Sequence, residues 1–194
     1  GDAIIAFWNA PLAQDDHAVR AVRAALRCQA KLADMRPGLA QRLNRDLFMR
    51  IGLNTGPVVV GNMGSHKRFN YTIMGDAANL ASRLEGINKQ FGSFTLISEA
   101  ARDAVGGAFP AREISRVAVF EPMLPSDFEA RRADLDAFAD ALKSFYRGDF
   151  AAARAAFEKL RDGDPVSGAY ARKCRALEAE QPASWDGVWV MTEK

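Results

Sequence analysis

The run Met74-Gly75-Asp76-Ala77-Ala78-Asn79-Leu80-Ala81-Ser82-Arg83-Leu84-Glu85-Gly86 restricts this chain more than any other stretch. A glycine and an aspartate precede strong helix formers, which predicts a helix over 77–91 with Asp76 as its N-cap. Asn79 and Arg83 are four residues apart and therefore share a face. Leu80 and Leu84 repeat that spacing around the helix and are expected to bury it against a core. An amide and a guanidinium on one rigid helix can address a sugar and a phosphate at fixed separation. Taken alone, the pattern also describes an ordinary amphipathic helix with two solvated polar residues.

Upstream lie Ile51-Gly52-Leu53-Asn54-Thr55-Gly56-Pro57-Val58-Val59-Val60-Gly61-Asn62-Met63-Gly64 and then Arg68-Phe69-Asn70-Tyr71-Thr72-Ile73. Two apolar, β-prone runs flank Asn54-Thr55-Gly56-Pro57, which predicts a tight hairpin connection. With a glycine-rich hairpin, then Tyr71-Thr72-x-x-Gly75-Asp76, then Asn79-x-x-x-Arg83, the chain resembles the class III nucleotidyl cyclases, the catalytic domains of adenylate and guanylate cyclases. The resemblance covers 1–122 and is most specific over 51–86. Gly1-Asp2-Ala3-Ile4-Ile5-Ala6-Phe7-Trp8-Asn9-Ala10-Pro11 is similar to the family strand that carries the second of two metal-binding aspartates, here Asp2.

The resemblance implies conversion of ATP to cyclic AMP and pyrophosphate, with two ions of Mg²⁺ or Mn²⁺ per site. It makes Asp2 a metal ligand, Asn79 the residue that orients the ribose, and Arg83 the residue that neutralises charge on the α-phosphate. Magnesium needs only one or two carboxylates beside phosphate oxygens, so a lone aspartate at a strand entrance is chemically adequate. Family members carry Asp or Thr at the position of Thr72 in adenylate cyclases and usually Cys in guanylate cyclases, so Thr72 implies recognition of adenine. Sites shared between subunits of a homodimer are implied as well, with Asp2 from one subunit and Asn79 and Arg83 from the other.

Two parts of the family pattern have no counterpart in the sequence. A strand, two helices and a further strand, carrying the first metal aspartate and an adenine-reading lysine, are expected before Gly1. A glycine- and lysine-rich loop that contacts the phosphates is expected near Ile114-Ser115-Arg116-Val117-Ala118-Val119-Phe120-Glu121-Pro122. That run has no Gly, Asn or Asp to turn on, so extra residues are expected between Val119 and Phe120.

Elsewhere strands alternate with helices, which predicts an α/β (α+β) fold: a ferredoxin-like mixed sheet with packed helices, incomplete at its N-terminal side. The predicted elements are strands at 3–8, 47–53, 58–60, 94–97 and 116–120 and helices at 15–34, 77–91 and 99–104. Pro37-Gly38 is expected to break the first helix, and His17 to be a solvated first-turn residue. With 48% hydrophobic residues in 194, the chain can bury a full core. Its 26 basic and 24 acidic side chains leave +2, too balanced to argue for nucleic acid or an anionic membrane surface. Cys28 and Cys174 read as small buried apolar residues of a reducing compartment.

After about Pro125 the character changes, and the expected division is a cyclase domain at 1–125 and a helical extension at 126–194. Apolar residues at helical spacing on both sides of Gly148-Asp149 resemble one tetratricopeptide-type helical hairpin, followed by a third helix near 170–180. Such a unit cannot bury its own face and must pack on the sheet, a partner or a second subunit. Trp185-Asp186-Gly187-Val188-Trp189 is expected to dock as a terminal strand. A similar tail in sensor-linked bacterial cyclases implies a cytoplasmic location within a membrane-anchored parent. The competing readings are a catalytically silent dimerisation or nucleotide-sensing module, a guanylate cyclase, and an adaptor acting through 126–194.

Overall fold

A computed structural model describes residues 3–65 and 68–189. Four short strands form a mixed sheet in the order β1 (Ile51–Leu53), β4 (Thr95–Ser98), β6 (Val119–Pro122), β5 (Ala111–Ser115). β1 runs parallel to β4, and the β4–β6 and β5–β6 pairs are antiparallel. Successive residues of a strand point to opposite faces. Leu96 and Val119 accordingly enter one core cluster while Ile97 and Phe120 enter the other. One face is covered by α1 (His17–Leu43) and α3 (Glu99–Val105). The other is covered by α2 (Asp76–Phe91) and the C-terminal helices. This is the mixed α/β sheet with packed helices that the alternation of elements predicts.

A separate antiparallel ribbon, β2 (Val59–Ser65) with β3 (Arg68–Met74), stands apart from that sheet. Its register places Val59 opposite Met74 and Gly61 opposite Thr72. The expected hairpin through Asn54-Thr55-Gly56-Pro57 does not form, because β1 takes β4 as its partner and β2 takes β3. Sequence reasoning assigned no strand to β3, where Arg68 and Asn70 interrupt the β-prone residues Phe69, Tyr71, Thr72 and Ile73.

Several local expectations are corrected. Residues 3–8 form no strand, since none of the described strands pairs with them, and Ile4 is left 89% exposed. α1 continues through Pro37 to Leu43 and ends at Asn44, in the left-handed region with φ 52°. Proline leaves the carbonyl four residues earlier without its donor; that residue, Ala33, is exposed, so water can take the bond. The 47–53 strand shrinks to Ile51–Leu53, and α2 starts at Asp76 with Gly75 as its cap. Cys28 is exposed, whereas Cys174 is buried and its thiol is pushed up to about 12 by desolvation.

The 116–120 strand is also revised. Arg116, Val117 and Ala118 make the turn between β5 and β6, closed by a bond from Ala118 N–H to the Ser115 carbonyl at 3.1 Å. Ala118 takes φ 57°, a conformation that usually favours glycine. Val119 and Phe120 are consecutive residues of β6, paired with Ser98 and Ile97. The hairpin therefore closes without the extra residues expected between them.

Past β6 the chain forms α4 (Pro125–Ala130), α5 (Arg132–Tyr146), α6 (Phe150–Leu160) and α7 (Pro165–Glu180). Gly148, at φ 82°, reverses the chain, and the Asp149 carboxylate caps α6 by accepting from Ala152 N–H at 3.2 Å. These helices do not bury their faces alone. Phe138, Phe145, Phe157 and Tyr170 share one continuous core with Leu84, Phe91, Leu96, Ile114 and Val119. Trp185 and Trp189 dock on that core without forming a strand, Trp185 by donating from Nε1 to the Phe145 carbonyl at 2.9 Å. Among the described residues no helix is long and apolar enough to cross a membrane.

Candidate active site on the free face of helix α2

Thr72 lies on β3, and Asn79 and Arg83 lie on α2, with Gly75 as the one residue joining the two elements. Gly75 adopts φ 141°, and a side chain there would meet the Pro57 carbonyl at 3.4 Å. Its carbonyl accepts from the N–H groups of Ala78 and Asn79 at 3.0 and 3.2 Å. A glycine is therefore required to bring the ribbon directly onto the start of the helix. The same turn holds Thr72 and Asn79 on adjoining elements.

The opposite side of α2 is pressed onto β1 and its loop. A Cβ on Gly52 would lie 2.1 Å from the Ala81 carbonyl oxygen and 2.4 Å from Glu85 N. The Asn88 amide donates to the Ile51 carbonyl at 3.0 Å, and the Asn54 amide donates to the Ala77 carbonyl at 3.0 Å. At about 100° per residue, positions 77, 81, 85 and 88 share one side and positions 79 and 83 fall on the other. Asn79 and Arg83 are accordingly both exposed, and Thr72 is half-buried. Among the described residues no hydrogen bond or ion pair engages these three side chains, leaving a donor amide, a cation and a hydroxyl free to meet a ligand. Leu84 is 2% exposed, as its spacing predicts, but Leu80 is 40% exposed because it lies on the flank nearer the free side.

Asp2 lies outside the described residues. Among those described, no group of three or more His, Cys, Asp or Glu converges on a point that could hold a metal ion. Their donor set does not by itself fit a two-metal centre.

Residues 1–99 match the family described as Adenylate and Guanylate cyclase catalytic domain. The chain belongs to this family. Among its curated relatives, Adenylate cyclase 1 of Rhizobium meliloti (strain 1021) is 44% identical over 102 residues, which are 52% of this chain and 15% of that protein. Adenylate cyclase of Anabaena cylindrica is 35% identical over 103 residues, 51% of this chain and 20% of that protein. The chain thus spans a minor part of the length of these relatives. The crystal structure of the adenylyl cyclase CyaB from P. aeruginosa superposes with a TM-score of 0.52 at 26% identity, covering 59% of this chain and 63% of that one.

Within this cyclase-family chain, sequence reasoning missed three residues that support the site. Gly52 falls inside the predicted 47–53 strand, Asn54 in the predicted turn, and Ser98 between the predicted strand 94–97 and helix 99–104, so none of the three carries a site reading from the sequence. A signal was present for Ser98, since Ser before a helical run with an acidic first turn is an N-cap pattern; its oxygen accepts from Ala101 N–H at 3.1 Å. His17 is likewise half-buried rather than solvated, with Nε2 3.1 Å from Thr55 Oγ1.

Proposed function

We propose that this chain is catalytic machinery of an adenylate cyclase that converts ATP to 3′,5′-cyclic AMP and pyrophosphate in the cytoplasm. The observation that carries the reading is the pair Asn79 and Arg83, side by side on the free face of a helix whose other face is clamped to the sheet. The names of the relatives support the same substrate.

In this reading the ribose 3′-hydroxyl gives up its proton to water as its oxygen attacks the α-phosphorus. The new O–P bond forms as the bond to the oxygen bridging the β-phosphorus breaks, and pyrophosphate leaves with that electron pair. The Asn79 amide holds the ribose so that the 3′-oxygen is aligned for in-line attack. The Arg83 guanidinium donates to the non-bridging oxygens of the α-phosphate, where charge grows in the transition state. A preorganised donor of this kind contributes about 3–4 kcal/mol to lowering the barrier. The Thr72 hydroxyl can donate and accept, which suits the adenine amino edge. Asp2 is proposed as a ligand for Mg²⁺ or Mn²⁺; the roles given to Thr72, Asn79 and Arg83 do not depend on it.

Asn79 and Arg83 on an open surface do not exclude water. Val59, Phe69, Tyr71 and Met74 of the ribbon and Leu80 of α2 leave large apolar side chains exposed. A second copy of the chain covering them gives a C2 homodimer with two equivalent sites. Incubating the full-length protein with ATP and Mn²⁺ and assaying cyclic AMP tests the activity. Absence of product with either Mn²⁺ or Mg²⁺ overturns it. Co-expression of Asp2→Ala with Arg83→Ala tests the shared site: both defects fall in one pocket of the heterodimer, so activity returns, and mixtures as inactive as either parent refute sharing.

A further inference from the structure

Asn54 follows the last residue of β1, and both ends of its side-chain amide are committed. Nδ2 donates to the carbonyl of Ala77 at 3.0 Å, and Oδ1 accepts from the Ser98 hydroxyl at 2.6 Å. Ser98 is buried at the end of β4, where its oxygen also caps α3. The next residue, Thr55, is held from a third side by His17 of α1. The loop that carries Asn54 is therefore anchored to α1, β4 and α3, and its amide reaches from that anchor to α2.

The point it reaches is two residues before Asn79 and six before Arg83. The remaining contacts that dock α2 on β1, at Gly52 and Asn88, lie farther along the helix. Gly56 adds close approach at the same end, since a Cβ there would lie 2.9 Å from the Ala77 Cβ. Steric approach limits how near the first turn can come, while the hydrogen bond from Asn54 fixes its rotation. An aspartate could not substitute, because an ionised carboxylate only accepts and would face the Ala77 carbonyl.

We infer that Asn54 is a positioning residue for the proposed cyclase reaction, setting the rotation of the first turn of α2 and hence the aim of Asn79 and Arg83. The inference rests on the adenylate cyclase reading for its catalytic consequence only. Displacements of about 1 Å remote from the reacting atoms can cost up to a hundredfold in rate.

The test compares Asn54→Ala, Asn54→Asp and Ser98→Ala with wild type in the full-length protein. It follows kcat and KM for ATP, the thermal midpoint, and amide hydrogen exchange along α2. Both Asn54 variants are expected to lose about ten- to a hundredfold in kcat, with KM within about threefold. Ser98→Ala should move the same way by less. Exchange should quicken at the N–H groups of Ala78 and Asn79, which bond to Gly75, and stay unchanged near Asn88. A kcat for Asn54→Ala within about twofold of wild type would overturn the inference. So would faster exchange spread evenly over α2 and the sheet with a matching fall in midpoint, which marks a merely structural role. If wild type makes no cyclic AMP, the cyclase reading fails, and exchange at Ala78 and Asn79 still decides whether Asn54 holds the helix start.

Discussion

Arg112 of β5 grips Asp164, the N-cap of α7, through two hydrogen bonds: Nη1 to Oδ2 at 2.9 Å and Nη2 to Oδ1 at 2.7 Å. The two residues are 7% and 5% exposed. Arg112 Nε also donates to Glu121 Oε2 at 2.7 Å, and the guanidinium lies 4.7 Å over the Phe138 ring. The Asp164 carboxylate accepts in addition from the Ser167 N–H at 3.0 Å and the Ser167 hydroxyl at 2.6 Å. One buried carboxylate thus joins the four-stranded sheet to the helical extension and starts α7.

Asp164→Ala leaves the buried guanidinium with Glu121 as its main partner and removes the cap of α7. Breaking one side of a buried pair typically costs about 3–5 kcal/mol. A loss in that range is expected in urea unfolding of the full chain, and a loss under about 1 kcal/mol would mean that Glu121 alone satisfies Arg112.

The same carboxylate sets a pH dependence. Burial raises its pKa, but the bonds and charge of Arg112 and the bonds from Ser167 outweigh burial and hold it below the ordinary value. A carboxyl whose folded pKa is depressed contributes fully above its unfolded pKa of about 3.9 and loses that contribution as pH falls through the lower folded value. The urea midpoint of wild type should therefore drop as pH is lowered below about 4, and Asp164→Asn should show a shallower drop there.

Gly52→Ala should destabilise the fold because its Cβ would meet backbone atoms of Ala81, Leu84 and Glu85, which cannot move aside singly. Overpacking of this kind costs about 1–3 kcal/mol or more. Gly38→Ala, in the interior of α1 with nothing within 4 Å of the new Cβ, should instead stabilise by about 0.5–1 kcal/mol. Opposite signs in parallel thermal melts would establish the close approach of α2 to β1.

Arg83→Ala should lower kcat by about 10²–10³ with little change in ATP KM, since the proposed contact strengthens in the transition state. Its exposed side chain has no partner to lose among the described residues, so the thermal midpoint should hold. Retention of more than about a third of wild-type turnover would remove Arg83 from its assigned role.

Thr72→Cys should narrow a preference for ATP over GTP that is expected to be at least about tenfold in kcat/KM. A wrong base leaves polar groups unpaired at roughly 1–3 kcal/mol each. Equal turnover of GTP by wild type would reassign the base while leaving the family membership standing.

Much of this architecture was legible where neighbours along the chain decide the outcome. Gly75-Asp76 before a run of helix formers announces α2, and four-residue spacing places Asn79 and Arg83 together whatever the rest of the protein does. Gly148-Asp149 between two periodic apolar stretches announces the α5–α6 turn for the same reason. The candidates Thr72, Asn79 and Arg83 follow from the resemblance to the cyclase family, whereas the supports beneath them were invisible: Asn54 and Ala77 are 23 residues apart, and Asn54 and Ser98 are 44 apart.

Sequence by itself therefore determined the elements whose rules are local: the helical periodicity of α2, α5 and α6 and the chain reversal at Gly148-Asp149, though not the cap of α2, which falls on Gly75 rather than Asp76. Tertiary structure alone decided that β1 pairs with β4 rather than with β2, that residues 3–8 pair with none of the described strands, and that the helical extension shares the core of the sheet. Ladder hydrogen bonds join backbone groups that are the same in every residue, so a strand carries no address for its partner and takes the one that buries its faces. Local rules also yield when tertiary burial outweighs their penalty: a proline inside α1 costs about 3 kcal/mol and an alanine at φ 57° about 1–2 kcal/mol. Burying the helix and hairpin faces that those residues connect is worth more.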